Sequence, residues 1–183
     1  METQNTETQA SFIGLDLSPT GIEQAHQNAM NQDSRLKFIV ANMNKLELPK
    51  GSFNVAIAID TLYYLHDTDS TLKQTLELLK PDGRMALFFS QWVMDDSEAH
   101  KLAADNTDLA QLLHSNSLSY QAIDLTKQGH AHWQKKLDTL ESMQANFEAE
   151  GHDWLYKFRH REAHRYANWD TALSTRYLYI VER

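Results

Sequence analysis

Residues 53–60 read FNVAIAID, an almost unbroken apolar run that ends in an acid. Such a run is typical of a strand inside a parallel sheet, because helices cover both faces of that sheet. Asp60 stands where the strand ends, and open α/β sheets bind their ligands at the carboxyl ends of the strands. The run therefore predicts both a fold class and the end of the sheet at which function lies.

Shorter apolar runs lie on both sides of this strand and alternate with helical patterns. A helix follows the first run, because Ser18 is a good N-cap and Pro19 suits the first helical position. We predict strands at residues 12–17, 36–41, 53–59, 84–89, 119–125 and 176–181, and helices at 19–30, 69–80, 98–115 and 130–150, with a turn at 81–83. This alternation predicts an α/β fold with a parallel sheet and crossover helices.

The composition of the 183 residues excludes several classes of protein. Hydrophobic residues make up 42% and charged residues 23%, the ordinary balance of a globular protein. The absence of cysteine excludes disulfides, thiolate catalysis and sulfur-bound zinc. The net charge of −8 disfavours nucleic acid and anionic membranes as partners. Residues 1–9 lack the features of a signal peptide and no apolar run has the length of a membrane span, so we expect a cytoplasmic protein.

Polar residues follow two of the predicted strands. Asp16 ends the first strand, where a carboxylate is well placed to accept two hydrogen bonds from a ribose diol. An acid near a helix N-terminus also stabilises the helix dipole without binding any ligand. Asn42 and Met43 follow the next strand, where an amide can bind an adenine edge and a methionine can cover its face, although asparagine is also a common turn residue. The residues alone leave both interpretations open.

Three segments, taken in order, resemble the class I S-adenosylmethionine-dependent methyltransferases of the small-molecule type. They are FIGLDLSPTGIEQA at 12–25, LKFIVANMNKLELPKGSFNVAIAIDTLYYLHD at 36–67 and LKPDGRMALFF at 79–89. The resemblance covers about residues 11–90, roughly half of the chain. It implies a Rossmann-like methyltransferase sheet, S-adenosylmethionine as the cofactor and a small molecule as the second substrate.

The resemblance also implies roles for individual residues. The implied cofactor-binding residues are Asp16, Leu17, Asn42, Met43, Ala58 and Asp60. Within this set Asp16 would hold the ribose, Asn42 would bind adenine in place of the usual aspartate, and Asp60 would face the methionine portion. The candidates for the substrate side are Tyr63, Tyr64, His66 and Trp92. No catalytic base and no metal are assigned.

One family feature is not found in the sequence. The family begins with a strand that ends in a glycine-rich turn of the form D-x-G-x-G-x-G, and residues 1–9 contain neither glycine nor an apolar run. That first strand normally lies in the centre of the sheet, between the strands at 12–17 and 53–59. We therefore expect a disordered leader at 1–9 and one N-terminally truncated domain at 10–183, with weak or absent activity. We also expect a helical lid over about 91–170, a C-terminal β-hairpin, and a homodimer that fills the missing central strand.

Other functions have weaker support in the sequence. A non-catalytic methyltransferase-like binding or assembly module is the main alternative, because the glycine-rich turn is missing and Asn42 replaces an aspartate. A dehydrogenase is disfavoured, since the chain lacks G-x-G-x-x-G. His160 and His164 are spaced to bind a metal together, but Arg161 stands where a metalloprotease needs glutamate, so we predict no metal site.

Overall fold

A computed structural model describes two ranges of the chain, residues 10–29 and 35–183. The chain divides into two compact units. The first unit comprises the described residues up to Ser52 together with Tyr64–Leu78, and the second unit comprises Phe53–Tyr63 and Leu79–Arg183. The predicted leader at 1–9 lies outside the described residues.

The first unit contains a parallel pair of strands with two helices. Its elements are β1 (Phe12–Asp16), α1 (Pro19–Ala29), β2 (Leu36–Val40) and α2 (Thr68–Leu78). Helix α1 begins as predicted, because the Ser18 hydroxyl oxygen accepts a hydrogen bond from the Gly21 N–H at 3.1 Å. Since β1 and β2 are parallel, the segments that follow them leave the sheet at the same end.

The second unit contains a mixed sheet in the order β3-β4-β6-β5. Its strands are β3 (Phe53–Ile59), β4 (Leu79–Trp92), β5 (Tyr120–Asp124) and β6 (Ser174–Glu182). Strand β3 is parallel to β4, whereas β6 is antiparallel to both β4 and β5. In residues 10–29 and 35–183, β3 has a partner strand on one edge only, and its Val55, Ile57 and Ile59 side chains are 53%, 61% and 56% exposed.

The second unit also contains four helices. They are α3 (Asp108–Ser115), α4 (Thr126–Ser142), α5 (Gln144–Ala149) and α6 (Asp153–Ala167). The core of the sheet contains Met85, Tyr179 and Val181, which are fully buried. Helices α4 and α6 share a second buried cluster that includes Leu137 and Ala163. Burying each large apolar side chain contributes about 1.5–3 kcal/mol.

The connector of residues 103–107, which precedes α3, is anchored to strand β6. The Tyr179 hydroxyl donates to the Ala104 carbonyl at 2.7 Å, so the Thr107 hydroxyl, 2.7 Å from the Tyr179 oxygen, donates to that oxygen. Thr107 in turn caps α3, because its Oγ1 accepts from the Ala110 N–H at 3.1 Å. Thr107 and Tyr179 are completely buried. This chain of hydrogen bonds fixes the start of α3 on the sheet.

The predicted α/β class is confirmed, and β3 has exactly the predicted bounds. Strands β5 and β6 pair antiparallel as the two strands of a hairpin do, but helices α4, α5 and α6 lie between them in the chain. Strands β1 and β3 belong to separate sheets. A further strand between them therefore stays a prediction. Within the described part of the chain, none of the helices combines the length and apolar character needed to cross a membrane.

Three of the predicted elements differ from the structure by more than one or two residues at an end. The helix predicted at 98–115 is split into a 3₁₀ segment, Asp96–Leu102, and α3, because Thr107 starts a new helix. The helix predicted at 130–150 begins earlier, where the Asp124 carboxylate accepts from the Thr126 N–H at 2.8 Å, and is interrupted at Met143. The turn predicted at 81–83 is an irregularity inside β4, since pairing with β3 shifts register there.

Candidate functional site

In the first unit, the predicted cofactor residues lie at the carboxyl end of the β1-β2 pair. The Ala41 N–H donates to the Asp16 carbonyl at 2.9 Å, which brings the segment after β2 beside the end of β1. The Asp16 side chain is exposed, and its Oδ1 accepts from the Ser18 N–H at 2.8 Å. Leu17, next to it, is 68% exposed. This end of the sheet therefore offers a carboxylate beside an exposed apolar side chain.

The loop after β2 has a fixed local geometry. The Asn42 Oδ1 accepts from the backbone N–H of Asn44 at 2.9 Å and from its side-chain amide at 3.1 Å. Asn42 is exposed, and Met43 beside it is half-buried. Because the Asn42 oxygen is used within the loop, its amide N–H groups are the atoms it can offer to a ligand.

Two residues that the sequence analysis did not single out hold this loop in place. The Asn44 Oδ1 accepts from the His66 N–H at 2.8 Å, so the loop is tied to the segment before α2. From α2, Gln74 accepts the Leu46 N–H at 2.9 Å and donates to the Asn44 carbonyl at 3.2 Å. A glutamine on a helix face carries no local signal of such a role. His66, predicted on the substrate side, is exposed and contributes its backbone here.

In the second unit, Asp60 follows β3 and is bound by an arginine from β6. The two nitrogens of the Arg176 guanidinium donate to the two carboxylate oxygens of Asp60 at 2.7 and 2.8 Å, and the guanidinium also reaches the Ser90 Oγ at 3.2 Å. Asp60 has a φ of 52°, a left-handed conformation that aspartate adopts more readily than most residues. Ala58, two residues earlier, is half-buried in β3. No pattern in the sequence indicated that Arg176 binds Asp60.

The predicted substrate residues of the second unit contact one another. The Tyr63 ring lies 5.7 Å from the Trp92 ring and 5.1 Å from the Phe89 ring, measured between centroids. The Tyr63 hydroxyl accepts from the Ser90 N–H, and burial raises the pKa of this phenol. Tyr64 belongs to the first unit and is 83% exposed. Tyr63 and Trp92 are therefore brought together, whereas Tyr64 stands apart from the contacts described here.

A small cleft of about 30 Å³ lies in the second unit among strands β4 and β6 and helices α4 and α6. Ser90, Trp92, His130, Trp133, Tyr166, Trp169 and Arg176 are among the residues that line it. The Tyr166 ring lies 4.7 Å from the Trp133 ring and 5.7 Å from the Trp92 ring.

The two histidines at metal-ligand spacing interact with each other and with an acid. The rings of His160 and His164 are stacked with centroids 6.1 Å apart, and the His160 Nε2 lies 3.3 Å from a Glu141 oxygen. Among residues 10–29 and 35–183, no three histidine or acidic side chains are arranged to hold a metal ion. This geometry suits a partly exposed hydrogen bond between the His160 and Glu141 side chains.

Comparisons with known proteins find methyltransferases. The family model described as a methyltransferase domain matches residues 2–154. The 27-O-demethylrifamycin SV methyltransferase of Amycolatopsis mediterranei (strain S699) is 30% identical over 84 residues, which are 45% of this chain and 31% of that protein. Phosphoethanolamine N-methyltransferase 3 of Arabidopsis thaliana is 29% identical over 75 residues, which are 41% of this chain and 15% of that protein. The chain thus spans less than a third of the length of these curated relatives.

Solved structures are similar over most of the chain. The (4+2)-cyclase SpnF superposes with a TM-score of 0.76 at 14% identity, covering 95% of this chain and 66% of that one. Phosphoethanolamine N-methyltransferase 2 of Haemonchus contortus, in complex with phosphomonomethylethanolamine and S-adenosylhomocysteine, has the same TM-score and identity, covering 93% of this chain and 42% of that one. The fold is shared with both, and the family model covers most of the sequence: the chain belongs to the methyltransferase domain family.

Proposed function

We propose that this chain binds S-adenosylmethionine and serves methyl transfer to a small molecule. The observation that carries the proposal is the juxtaposition at the end of the β1-β2 pair, where the Ala41 N–H to Asp16 carbonyl bond brings the Asn42 loop beside Asp16. Membership in the methyltransferase domain family, and methyltransferases among the relatives, support it. When bound, S-adenosylmethionine supplies an electrophilic methyl group on a sulfonium.

The residues of the first unit fit the adenosine portion of that cofactor. Asp16 keeps its Oδ2 for a ribose hydroxyl, because only its Oδ1 is used by Ser18. Leu17 offers exposed apolar surface for one face of the base, with Met43 as a second candidate for the same role. Asn42 has amide N–H groups to donate to ring nitrogens of adenine. This donor and acceptor set is the one expected for a ribose and a heteroaromatic base.

The fit to the methionine portion is less direct. Both oxygens of Asp60 accept from Arg176, so a cofactor ammonium group would have to share or replace that partner. Ala58 is small and half-buried at the end of β3, which leaves room beside the strand. Binding of the methionine portion by Ala58 and Asp60 is thus part of the proposal and the part with least support.

For the acceptor, we propose that Tyr63 and Trp92 line its site and that residues 91–170 form a lid. The helices that lie between β5 and β6 in the chain carry aromatic side chains of the cleft, such as Trp133 and Tyr166, which supports a lid over bound acceptor. Tyr64 and His66 stay candidates from the first unit. The charge of −8 favours a small-molecule acceptor over nucleic acid, and we expect the protein to act in the cytoplasm.

The test is calorimetric titration of the folded chain with S-adenosylmethionine and S-adenosylhomocysteine, using Asp16→Asn. This change removes the charge but keeps an oxygen for the Ser18 N–H. Because a hydrogen bond to a charged group contributes about 1.5–3 kcal/mol, we expect affinity to fall about 10- to 100-fold. The matched control is Asp124→Asn: Asp124 also ends a strand, β5, is exposed, and accepts the N–H two residues later at the same 2.8 Å.

Both outcomes of the titration are informative. Binding that weakens with Asp16→Asn and not with Asp124→Asn supports the cofactor assignment, and a methyl-transfer assay then measures whether activity is weak or absent. Absence of binding up to millimolar concentrations by a folded chain favours the alternative, a non-catalytic binding or assembly module. The likeness to a cyclase shows only that this fold is not confined to methyl transfer, because a fold alone does not fix the reaction.

We further propose that two copies of the chain pair along the β3 edge. This edge carries three exposed β-branched side chains, and such an edge is a template for another strand. Light scattering across a wide range of concentrations is expected to reveal a dimer that Ile57→Lys disrupts. Met94→Lys, which changes a still more exposed apolar residue outside β3, is expected to leave the dimer intact. A monomer at all concentrations would contradict this part of the proposal.

A further inference from the structure

Helix α6 packs one face against helix α4 and leaves the opposite face exposed. Ala163 is fully buried in the cluster shared with α4, and Tyr156 and Ala167 pack against the same cluster. Trp154 and Phe158 lie on the other face, where they are 69% and 53% exposed. Because they are four residues apart, their side chains are neighbours along one side of the helix. The exposed face of α6 therefore carries two large aromatic side chains.

Basic residues extend this exposed face. Lys157, Arg161 and Arg165 are exposed and follow Trp154 at intervals of three and four residues, which places them on the same side of the helix. In the part of the chain that the structure describes, none of these three cations forms an ion pair. The Arg165 guanidinium lies 5.5 Å from the Trp169 ring centroid, a contact that leaves its charge uncompensated. The face is thus both aromatic and positively charged.

The acidic residues of α6 do not cancel this charge. Glu162 is half-buried and is already bound by Lys136 at 2.9 Å and by Arg159 at 3.4 Å. Asp153 is the first residue of the helix, and at 1.5 Å per residue about 12 Å of helix axis separates it from Arg161. Exposed charges more than about 8–10 Å apart are largely screened at physiological ionic strength. The net charge of −8 therefore does not by itself determine the potential at this face.

The aromatic area of the face is smaller than a stable protein partner requires. Aromatic side chains bury about 150–250 Å² each, so the exposed fractions of Trp154 and Phe158 amount to about 200–300 Å². A standard protein interface buries about 800 Å² on each partner, and more than half of that area is apolar. A lipid surface sets no such requirement, because single aromatic side chains insert among the headgroups while basic side chains attract anionic lipids.

We propose that the exposed face of α6 binds the surface of an anionic lipid bilayer. In the bound state Trp154 and Phe158 lie at the level of the headgroups, where an aromatic ring contacts apolar and polar groups together. Lys157, Arg161 and Arg165 attract the negatively charged lipids. This binding is peripheral and reversible, and it requires neither S-adenosylmethionine nor an acceptor, so it does not rest on the proposed function.

The test is co-sedimentation of the full chain with vesicles in the absence of S-adenosylmethionine. One preparation is phosphatidylcholine alone and the other contains about 30 mol% phosphatidylserine, both at about 0.15 M salt. Since each basic residue near an anionic surface strengthens binding about fivefold, the three residues are expected to favour the phosphatidylserine vesicles about 10- to 100-fold. Equal affinity for both preparations, or no binding at millimolar lipid, would overturn the proposal.

Two double variants locate the binding face. Lys157→Gln with Arg161→Gln removes two charges from α6, so affinity for phosphatidylserine vesicles is expected to fall about 10- to 30-fold. The control, Lys37→Gln with Lys127→Gln, causes the same change in net charge at exposed residues of β2 and α4 and is expected to have little effect. Equal effects of the two double variants would contradict the assignment to α6.

The aromatic side chains have separate readouts. Tryptophan emission is expected to shift to the blue on phosphatidylserine vesicles, and Trp154→Phe is expected to lose this shift while it still sediments with them. Phe158→Ser is expected to weaken binding about 10-fold, because about half of the Phe158 surface is exposed and can be withdrawn from water. Met94→Ser, at a residue that is 78% exposed and outside α6, is the control and is expected to bind normally. A blue shift that persists in Trp154→Phe, or equal binding of the two serine variants, would contradict insertion of these rings.

Soluble poly-glutamate distinguishes a lipid surface from an acidic protein partner. It offers negative charge without a headgroup layer, so we expect it to bind more weakly than phosphatidylserine vesicles and to cause no blue shift. Binding of poly-glutamate as tight as that of the vesicles would assign the face to an acidic polypeptide and overturn the proposal. This comparison and that of the two vesicle preparations use the unchanged chain, so they decide the proposal even if a variant does not fold.

Discussion

Replacing Arg176 with methionine removes the guanidinium that binds Asp60 while keeping much of the aliphatic side chain. The pair joins β6 to the residue that follows β3, and it consists of two parallel hydrogen bonds of 2.7 and 2.8 Å. The Arg176 side chain is 22% exposed and that of Asp60 is 42% exposed. The pair is thus partly shielded from water, and its geometry is the bidentate one that arginine forms most strongly with carboxylates.

The expected size of this interaction lies between two limits. Fully exposed ion pairs contribute about 0.2–1 kcal/mol, and hydrogen bonds to charged groups contribute about 1.5–3 kcal/mol. Because Asp60 keeps access to water, the missing partner is partly replaced by hydration. We therefore expect a coupling energy of about 1.5 kcal/mol from a double-mutant cycle of Arg176→Met and Asp60→Asn.

The assay is urea unfolding followed by tryptophan fluorescence, since all four tryptophans lie in the second unit. Arg84 and Glu182 form the matched control pair, because they are also an arginine and an acid on different strands, β4 and β6, but lie 3.3 Å apart with side chains 60% and 66% exposed. Their cycle is expected to give less than about 0.5 kcal/mol, and to vanish in high salt. A coupling for Arg176 and Asp60 no larger than that of the control pair would refute the reasoning.

Three further changes test other parts of the structure. Thr107→Ala removes the cap of α3 and a partner of Tyr179, so the free energy of unfolding is expected to fall by about 2 kcal/mol in urea titrations, while Thr107→Ser stays close to the original. Burial, with a hydrogen bond to Asp105, raises the pKa of Tyr120 from 10.0 to about 12. The folded chain therefore holds this proton more tightly than the unfolded chain, and the free energy of unfolding is expected to fall as pH rises from 10 towards 12. In Tyr120→Phe this fall is expected to be smaller. Gln74→Leu removes the hydrogen bonds that hold the Asn42 loop, so faster amide exchange at Leu46 and weaker binding of S-adenosylmethionine are expected, and unchanged exchange would show that the loop holds its shape without Gln74.

Local patterns predicted much of the fold. Strand β3 was predicted to the residue, because a continuous apolar run bounded by Ser52 and Asp60 admits few other structures. The breaks at Thr107 and at Met143 were not predicted, and the one at Thr107 depends on a hydrogen bond with a distant strand. The local sequence of residues 98–115 has a helical pattern throughout, and this pattern cannot reveal a break that a hydrogen bond between Thr107 and the distant Tyr179 stabilises. Tertiary contacts thus decided the boundaries that propensity could not.

The residues of the candidate site were also predicted only in part. Asp16 and Asn42 were both predicted to bind the cofactor. The structure brings their segments together, because the segments that follow neighbouring parallel strands leave the sheet at one end. Arg176 was missed because 116 positions separate it from Asp60, and such a pair leaves no periodic trace in the sequence. Gln74 was missed for the same reason, since 28 positions separate it from Leu46. Their roles follow from the packed structure alone.

The anchored connector of residues 103–107 also has a consequence for motion. Irregular segments usually open within nanoseconds to microseconds, independently of the sheet beside them. Here, opening would break the hydrogen bonds at Thr107 and expose Tyr179, which is completely buried in the sheet core. The connector is therefore expected to exchange its amide protons on the slow time scale of global unfolding. The connector is thus expected to be as rigid as strand β6, although its backbone is neither helix nor strand.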